Sequence, residues 1–385
     1  MRIDSWEIRL LRLPLAKPFY TTGRAVDHCD TVYVAAKGGG LTGWGEAAPG
    51  NAPLLTCESA SGVFALLRDH LLPALPLKHG WESAESLAEA AAPIRGNRCA
   101  KGAVDMAWHD LNARTKEKPL WQTIGGVQRP IEVGLTFDRM PAHDDLYAEL
   151  DRVQAEKFHR ITLKMRPGWE VQAVSAARAL APWPTLLMVD LEGALNPADQ
   201  GEMLYRLQDF MPLAVEQPFD PADLYAHAIF QETFRTPLSL DESVSSLLDA
   251  RIALDLKSGR VLCLKPGRLG GLFETVRVHD AACGAGSACY AGFELGTSLA
   301  YRHALAAASL EGCTLPADYI RFGEVFTEEP GRPLVPTLHE FPAKKEGAPP
   351  KEWQAIDLWT EPGIGFDPDP EIIEKYTVDR AVFPS

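Results

Sequence analysis

Apolar and polar residues alternate at the start of the chain. Trp6, Ile8 and Leu10 are interleaved with Glu7 and Arg9, the period of a strand with one buried face. DTVYVAAKGG (30–39) repeats the pattern with β-branched residues, and GGGLTGWGEA (38–47) supplies the glycines of a hairpin-like unit. Residues 1 to about 60 therefore read as strands and turns. The period then lengthens. CAKGAVDMAWHDLNART (99–115) sets Val104, Ala107, Trp108 and Leu111 on one helical face, and Gly125 and Gly126 end the segment. Asp105 and His109, four apart on that helix, read as a surface pair.

Beyond this point the chain becomes rhythmic. Short apolar runs (IEVGLTF, ITLKM, TLLMVDL, PLAVEQP, TPLSLDE, RVLCLKP, SACYAGFE) are separated by helical stretches such as EVQAVSAARALA and LFETVRVHDAACGAG. Strand alternating with helix over roughly 170 residues implies a parallel sheet. With no dinucleotide glycine fingerprint, a closed TIM-type barrel is favoured over an open sheet. The tail beyond about residue 315 is rich in proline and charge and reads as loop. It ends in a strand-like IDLWTEPGIG with no place in the barrel, followed by a short helix, PEIIEKY.

The rhythm gives meaning to the polar residues at the strand ends. Lys164 ends ITLK, Asp190 ends LLMVD, Glu216 ends LAVE, Asp241 follows PLSL and Lys265 ends VLCLK. They fall 26, 26, 25 and 24 residues apart, about one strand, one helix and two loops of a barrel. Any one of them alone reads as a helix cap or a solvated group. Five in succession at one period place five ionisable groups on the C-terminal face, where barrel active sites are built. Three carboxylates converging there repel unless a cation lies between them, and an all-oxygen ligand set suits Mg²⁺, with Mn²⁺ as the alternative. The flanking lysines are placed to act as acid or base, and a partly buried lysine near a divalent cation loses some preference for its charged form.

At these residues the chain resembles the enolase superfamily, in its muconate lactonizing enzyme subgroup. GLTGWGEAAP and AVDMAWHDLNARTKEKPLWQTIGG are similar to capping-domain segments. TLKMRPGW, LLMVDLE, VEQPF, LDES, LKPGRLGG and CYAGFELGTS follow the barrel motifs in order, and WTEPGIGFDPD resembles the closing segment that returns to the capping domain. The resemblance implies a modified (β/α)7β barrel with an α+β capping domain built from the N-terminal region and the C-terminal tail. The expected division is capping domain 1–128, barrel 129–320 and returning tail 321–385. It implies Asp190, Glu216 and Asp241 as metal ligands, Lys164 as the general base of the KxK motif and Lys265 as the opposing lysine. LKPGRLGG and RPGW are most similar to o-succinylbenzoate synthases, which eliminate water during menaquinone synthesis, and to N-succinylamino acid racemases. The implied reaction is loss of a proton α to a carboxylate through an ene-diolate.

Two positions depart from the family pattern. Thr162 stands where KxK has its first lysine, and Glu192 where DxN has asparagine. Strand alternation would put Glu192 on the face of Asp190, able to contact metal, lysine or substrate, with a solvated role as the alternative. Glu294, in YAGFELGTS, is expected at the pocket wall; Thr162, Glu192 and Glu294 are thus candidate substrate contacts. RAVDHCD (24–30) and residues 51–56 correspond to loops that close over substrate. Two rival readings are a mandelate racemase-type acid-sugar dehydratase and a non-catalytic binding protein on the same fold. The first wants a histidine after the seventh barrel strand, and SACYAGFE has none; the second wants a missing ligand or lysine.

The net charge of −14 argues against nucleic acid or an anionic membrane as partner. There is neither an apolar run of about 18 residues nor a signal-type leader. Seven cysteines without a CxxC pair point to reduced thiols in a cytoplasm, each by default a small buried residue. The expected partner is a small carboxylate substrate, and a homo-oligomeric state is left open.

Overall fold

The computed structural model of the chain describes every residue except Met1, 22–23, 55, 76–79, 138–142, 166–167, 169, 182, 343–349 and Ser385. Most of the RPGW segment and part of the charged tail lie outside the described residues.

Strands β1 (Ser5–Thr21), β2 (Arg24–Gly38) and β3 (Leu41–Ala47) form an antiparallel sheet. The strand period of two gives this sheet two buried faces. Trp6, Ile8, Val32 and Val34 pack with Val104, Ala107, Trp108 and Leu111 of the helix Arg98–Thr115. Leu11, Leu13, Cys29 and Tyr33 join the core that runs into the barrel. Sandwiched in this way, the helix has few exposed positions, which overturns the reading of Asp105 and His109 as a surface pair. Both are buried, and Asp105 accepts the amides of Leu272 (2.5 Å) and Phe273 (3.3 Å) at the start of the barrel helix Leu272–Gly284.

The barrel comprises β4 (Ile131–Phe137), β5 (Arg160–Lys164), β6 (Leu186–Asp190), β7 (Ala214–Glu216), β8 (Leu238–Leu240), β9 (Val261–Leu264), β10 (Ala288–Ala291) and β11 (Ala317–Tyr319). Neighbours from β4 to β10 pair in parallel in chain order, and β11 pairs with β4. A helix follows each of the first seven strands, giving the (β/α)7β order. Where the ring closes between β10 and β11, the Phe293 amide bonds the Asp318 carboxylate at 3.2 Å.

The tail differs from its sequence reading. β12 (Thr337–Phe341) and β13 (Lys351–Ile356) form a hairpin, and β13 pairs antiparallel with barrel strand β4. Of the expected strand IDLWTEPGIG only Ile356 is extended in a ladder. Pro362 offers no ladder hydrogen bond, and the carbonyl of Trp359 is taken by the Trp121 indole at 2.8 Å. The helix Pro370–Tyr376 forms as expected, and β14 (Thr377–Pro384) then pairs with β1 as the outer strand of the capping sheet. Two cysteines depart from their default: Cys57 and Cys283 are exposed, the other five buried. Among the described residues no helix is long and apolar enough to cross a membrane.

Candidate active site

Lys164, Asp190 and Glu216 are the last residues of β5, β6 and β7, and the ladder register sets Lys164 opposite Asp190 and Asp190 opposite Glu216. Asp241 and Lys265 directly follow β8 and β9. All five groups therefore reach the C-terminal rim, and the three carboxylates are no more than 6% exposed. In a ring of eight strands β5 and β9 are four apart, so the two lysines rise from opposite walls.

Each lysine is claimed by acids. Lys164 Nζ lies 2.8 Å from Asp190 Oδ2 and 2.8 Å from Glu192 Oε1. Lys265 Nζ lies 2.7 Å from Asp241 Oδ2, whose other oxygen takes Arg268 Nη2 at 2.5 Å. Burial disfavours both ammonium groups, but Asp190 and Glu192 around the first, and Asp241 beside the second, outweigh it and raise both lysines well above their ordinary value. Protein groups alone thus hold both lysines charged; the lowering expected from sequence was for a partly buried lysine with a divalent cation beside it. Lys265 reaches the rim because β10 is followed by Gly292: a Cβ there would stand 2.7 Å from Lys265 Cε.

Glu192 is not solvated. Its side chain is on Lys164 and its amide donates to Asp190 Oδ1 at 3.0 Å. It arrives there past the end of β6, with φ 46°, rather than by strand alternation. Glu294 Oε1 and Glu242 Oε2 are buried without a hydrogen-bond partner. Burial pushes Glu294 up to about 7 and, aided by the charge of Asp241, Glu242 up to about 8. Thr162 lies deeper; it is buried and is not part of the cavity's lining.

The cavity above these groups encloses about 170 Å³. Its floor carries Lys164, Glu192, Glu242, Lys265, Arg268 and Glu294. Phe19, Val26 and Cys29 from the capping sheet cover it, together with Asn51, Leu54 and Thr56. The segments 24–30 and 51–56 do meet the site, the first as part of a long strand rather than a loop.

Asp190, Glu216 and Asp241 offer only hard oxygen donors to a cation. Burial raises Glu216 well above the usual carboxylate range, and the neighbouring charges of Asp190 and Asp241 raise it further, so this corner lacks positive charge. Glu216, Asp241 and Cys263 present ligand atoms within 4.8 Å of one another, while Asp190 turns toward Lys164. Burial, then the charge of Asp241, raises the Cys263 thiol well above its ordinary value, and a hard cation prefers the carboxylate oxygens to sulfur. The donor set fits Mg²⁺.

Sequence reading passed over Arg268, Glu242, Cys263 and Tyr290 as site residues. Arg268 and Glu242 sat inside the quoted motifs KPGR and LDES, and Tyr290 shares the inward phase of Gly292 and Glu294.

Residues 6–125 match the mandelate racemase / muconate lactonizing enzyme N-terminal domain, and residues 145–372 the enolase C-terminal domain-like family. The chain is 37% identical over 318 residues to an N-succinylamino acid racemase of Thermus thermophilus, covering 83% of this chain and 85% of that protein. It is 33% identical over 380 residues to an o-succinylbenzoate synthase of Geobacillus kaustophilus, covering 98% and 96%. A crystal structure of an enolase-superfamily member from Listeria innocua superposes with a TM-score of 0.88 at 25% identity, covering 100% of this chain and 99% of that one.

Proposed function

The chain belongs to the mandelate racemase / muconate lactonizing enzyme family of the enolase superfamily, and on that premise we propose that it removes a proton α to a substrate carboxylate with the help of Mg²⁺. The observation that carries this reading is the pair of lysines on opposite walls with three buried carboxylates between them. Asp190, Glu216 and Asp241 would hold Mg²⁺, or Mn²⁺ in its place. As is general for this superfamily, the cation supplies the positive charge without which an α-proton beside a carboxylate is too weakly acidic to be removed.

The chain's own residues then divide the work. In o-succinylbenzoate synthesis, a dehydration, Lys164 serves one face as base and then acid, while Lys265 contributes positive charge. The capping sheet excludes water, and Phe19, Val26, Leu54 and Phe293 line the cavity with apolar surface suited to the body of a small carboxylate. Glu192 and Glu294 stand where they would meet its polar groups; Thr162, a layer below, would act only indirectly. A second reading, racemisation of N-succinylamino acids, is favoured by the opposed lysines, since a racemase needs one acid–base group on each face.

Turnover of the o-succinylbenzoate precursor and of an N-succinylamino acid panel, with exchange followed in D₂O, tests both. Wild type that exchanges both enantiomers, with each single lysine variant keeping exchange of one, identifies a racemase. Loss of all turnover in Lys164→Ala with partial dehydration by Lys265→Arg identifies the synthase. A Lys164→Ala variant at wild-type rates on every accepted substrate would sink the assignment of the base.

A further inference from the structure

The inward face of β5 is Arg160, Thr162 and Lys164, two residues apart. Arg160 is fully buried; its guanidinium pairs with Asp318 and lies 4.8 Å from the centre of the Tyr290 ring. It has room because β4 carries Gly134, where a Cβ would stand 2.5 Å from Arg160 Nε. Thr162, one layer above, is short, and its hydroxyl has no partner. Tyr290 rises from β10 into the barrel, wholly buried, and its hydroxyl lies 2.7 Å from Glu216 Oε1.

We propose that Tyr290 is a positioning residue for the cation site, its ring seated on Arg160 and its hydroxyl fixing the carboxylate of Glu216. The inference rests on the reading of Asp190, Glu216 and Asp241 as cation ligands. The direction of the bond follows from chemistry. A phenol hydroxyl carries the proton and a carboxylate oxygen only accepts, so Tyr290 donates and Glu216 accepts. Asp190 and Asp241 are each bound to a lysine, whereas Glu216 takes its hydrogen bond from a neutral hydroxyl. A lysine at position 162, as in the KxK motif, would add a cation to the layer below the site. Thr162 and Tyr290 together give a neutral layer that still orients the ligand.

Mn²⁺ binding followed by electron paramagnetic resonance, in the absence of substrate, tests this on wild type and Tyr290→Phe. The expected result is an apparent Kd raised about tenfold or more in the variant, with an unchanged circular dichroism spectrum. A folded Tyr290→Phe with wild-type Mn²⁺ affinity overturns the positioning role and leaves the reading of the ligands standing. Wild type that binds no Mn²⁺ overturns that reading and this inference with it. A measurement independent of the variant is ¹³C NMR of protein labelled at tyrosine Cζ: of nine tyrosines, one resonance should move when Mg²⁺ is added. No movement would likewise remove the role.

Discussion

Buried carboxylates gather in two regions of this molecule, and they are satisfied in opposite ways. At the seam between capping domain and barrel, fixed donors meet them. Glu46 accepts the amides of Thr297 and Ala300, both at 3.0 Å, and the hydroxyls of Thr31 (2.8 Å) and Thr297 (2.6 Å). Asp105 accepts the amides of Leu272 and Phe273. Asp110, on the same helix, accepts those of Trp44 (2.8 Å) and Ile364 (2.7 Å) together with Arg114 Nε at 3.1 Å. At the barrel mouth, Asp190 and Asp241 are met chiefly by long side chains, while Glu242 and Glu294 each keep an oxygen without a partner. An amide at a helix start cannot leave when the substrate changes, but an ammonium on a flexible stem can. Acids of the first kind hold a structure together; those of the second kind are available for chemistry.

This contrast predicts that mouth variants lose activity and keep the fold, while seam variants do the reverse. The largest effect is expected at the mouth. Asp190→Asn, Glu216→Gln and Asp241→Asn should each lower kcat/KM by about 10³-fold or more, since metal stabilisation of the developing charge is worth several kcal/mol. Their thermal unfolding should stay close to wild type. In the same assay, excess chelator should abolish turnover and added Mg²⁺ restore it; full activity in chelator would break the comparison at its functional end.

Glu46→Ala sharpens the other end. It strands the buried amides of Thr297 and Ala300, while the two hydroxyls keep Ala47 and Tyr33 as partners, and should cost about 3 kcal/mol in urea unfolding. The molecules that remain folded should keep most of their turnover. A stable but inactive Glu46→Ala would place Glu46 with the mouth instead.

The smallest effect concerns Asp105, whose carboxyl burial pushes up to about 7. Its folded-state pKa lies above the unfolded value of about 3.9, so its stabilising contribution is fully present below about pH 4 and lost as pH rises through 7. Relative to Asp105→Asn, wild type should therefore lose about 2 kcal/mol between pH 5 and pH 8 in urea unfolding. Parallel pH profiles for the two proteins would show that the amides of Leu272 and Phe273 already hold the carboxylate ionised.

The mouth was far more legible in the sequence than the seam. Lys164, Asp190, Glu216, Asp241 and Lys265 are written at one period because a barrel repeats one unit, and the ladder carries that period to a single rim. Asp105 is satisfied by amides 167 and 168 residues away, a relation that helical spacing does not encode. β14 escaped notice because it is an edge strand with most side chains exposed, so its apolar alternation is weak. Tyr290 was visible only as one letter in a buried strand; its meaning depends on the layer that Arg160 and Thr162 build on a strand across the barrel.

The pairing of β14 with β1 also bears on the order in which the molecule is made. Ser5 lies opposite Pro384, so the capping sheet gains its outer strand only after the whole barrel, residues 131 to 319, has left the ribosome. The strands β4 to β10 pair with near neighbours in sequence and can assemble as they emerge, the ring closing once β11 reaches β4, while β1 waits with one edge open until β14 arrives. During that wait the open edge of β1 is the place where a partly synthesised chain is most exposed to pairing with a second copy of itself.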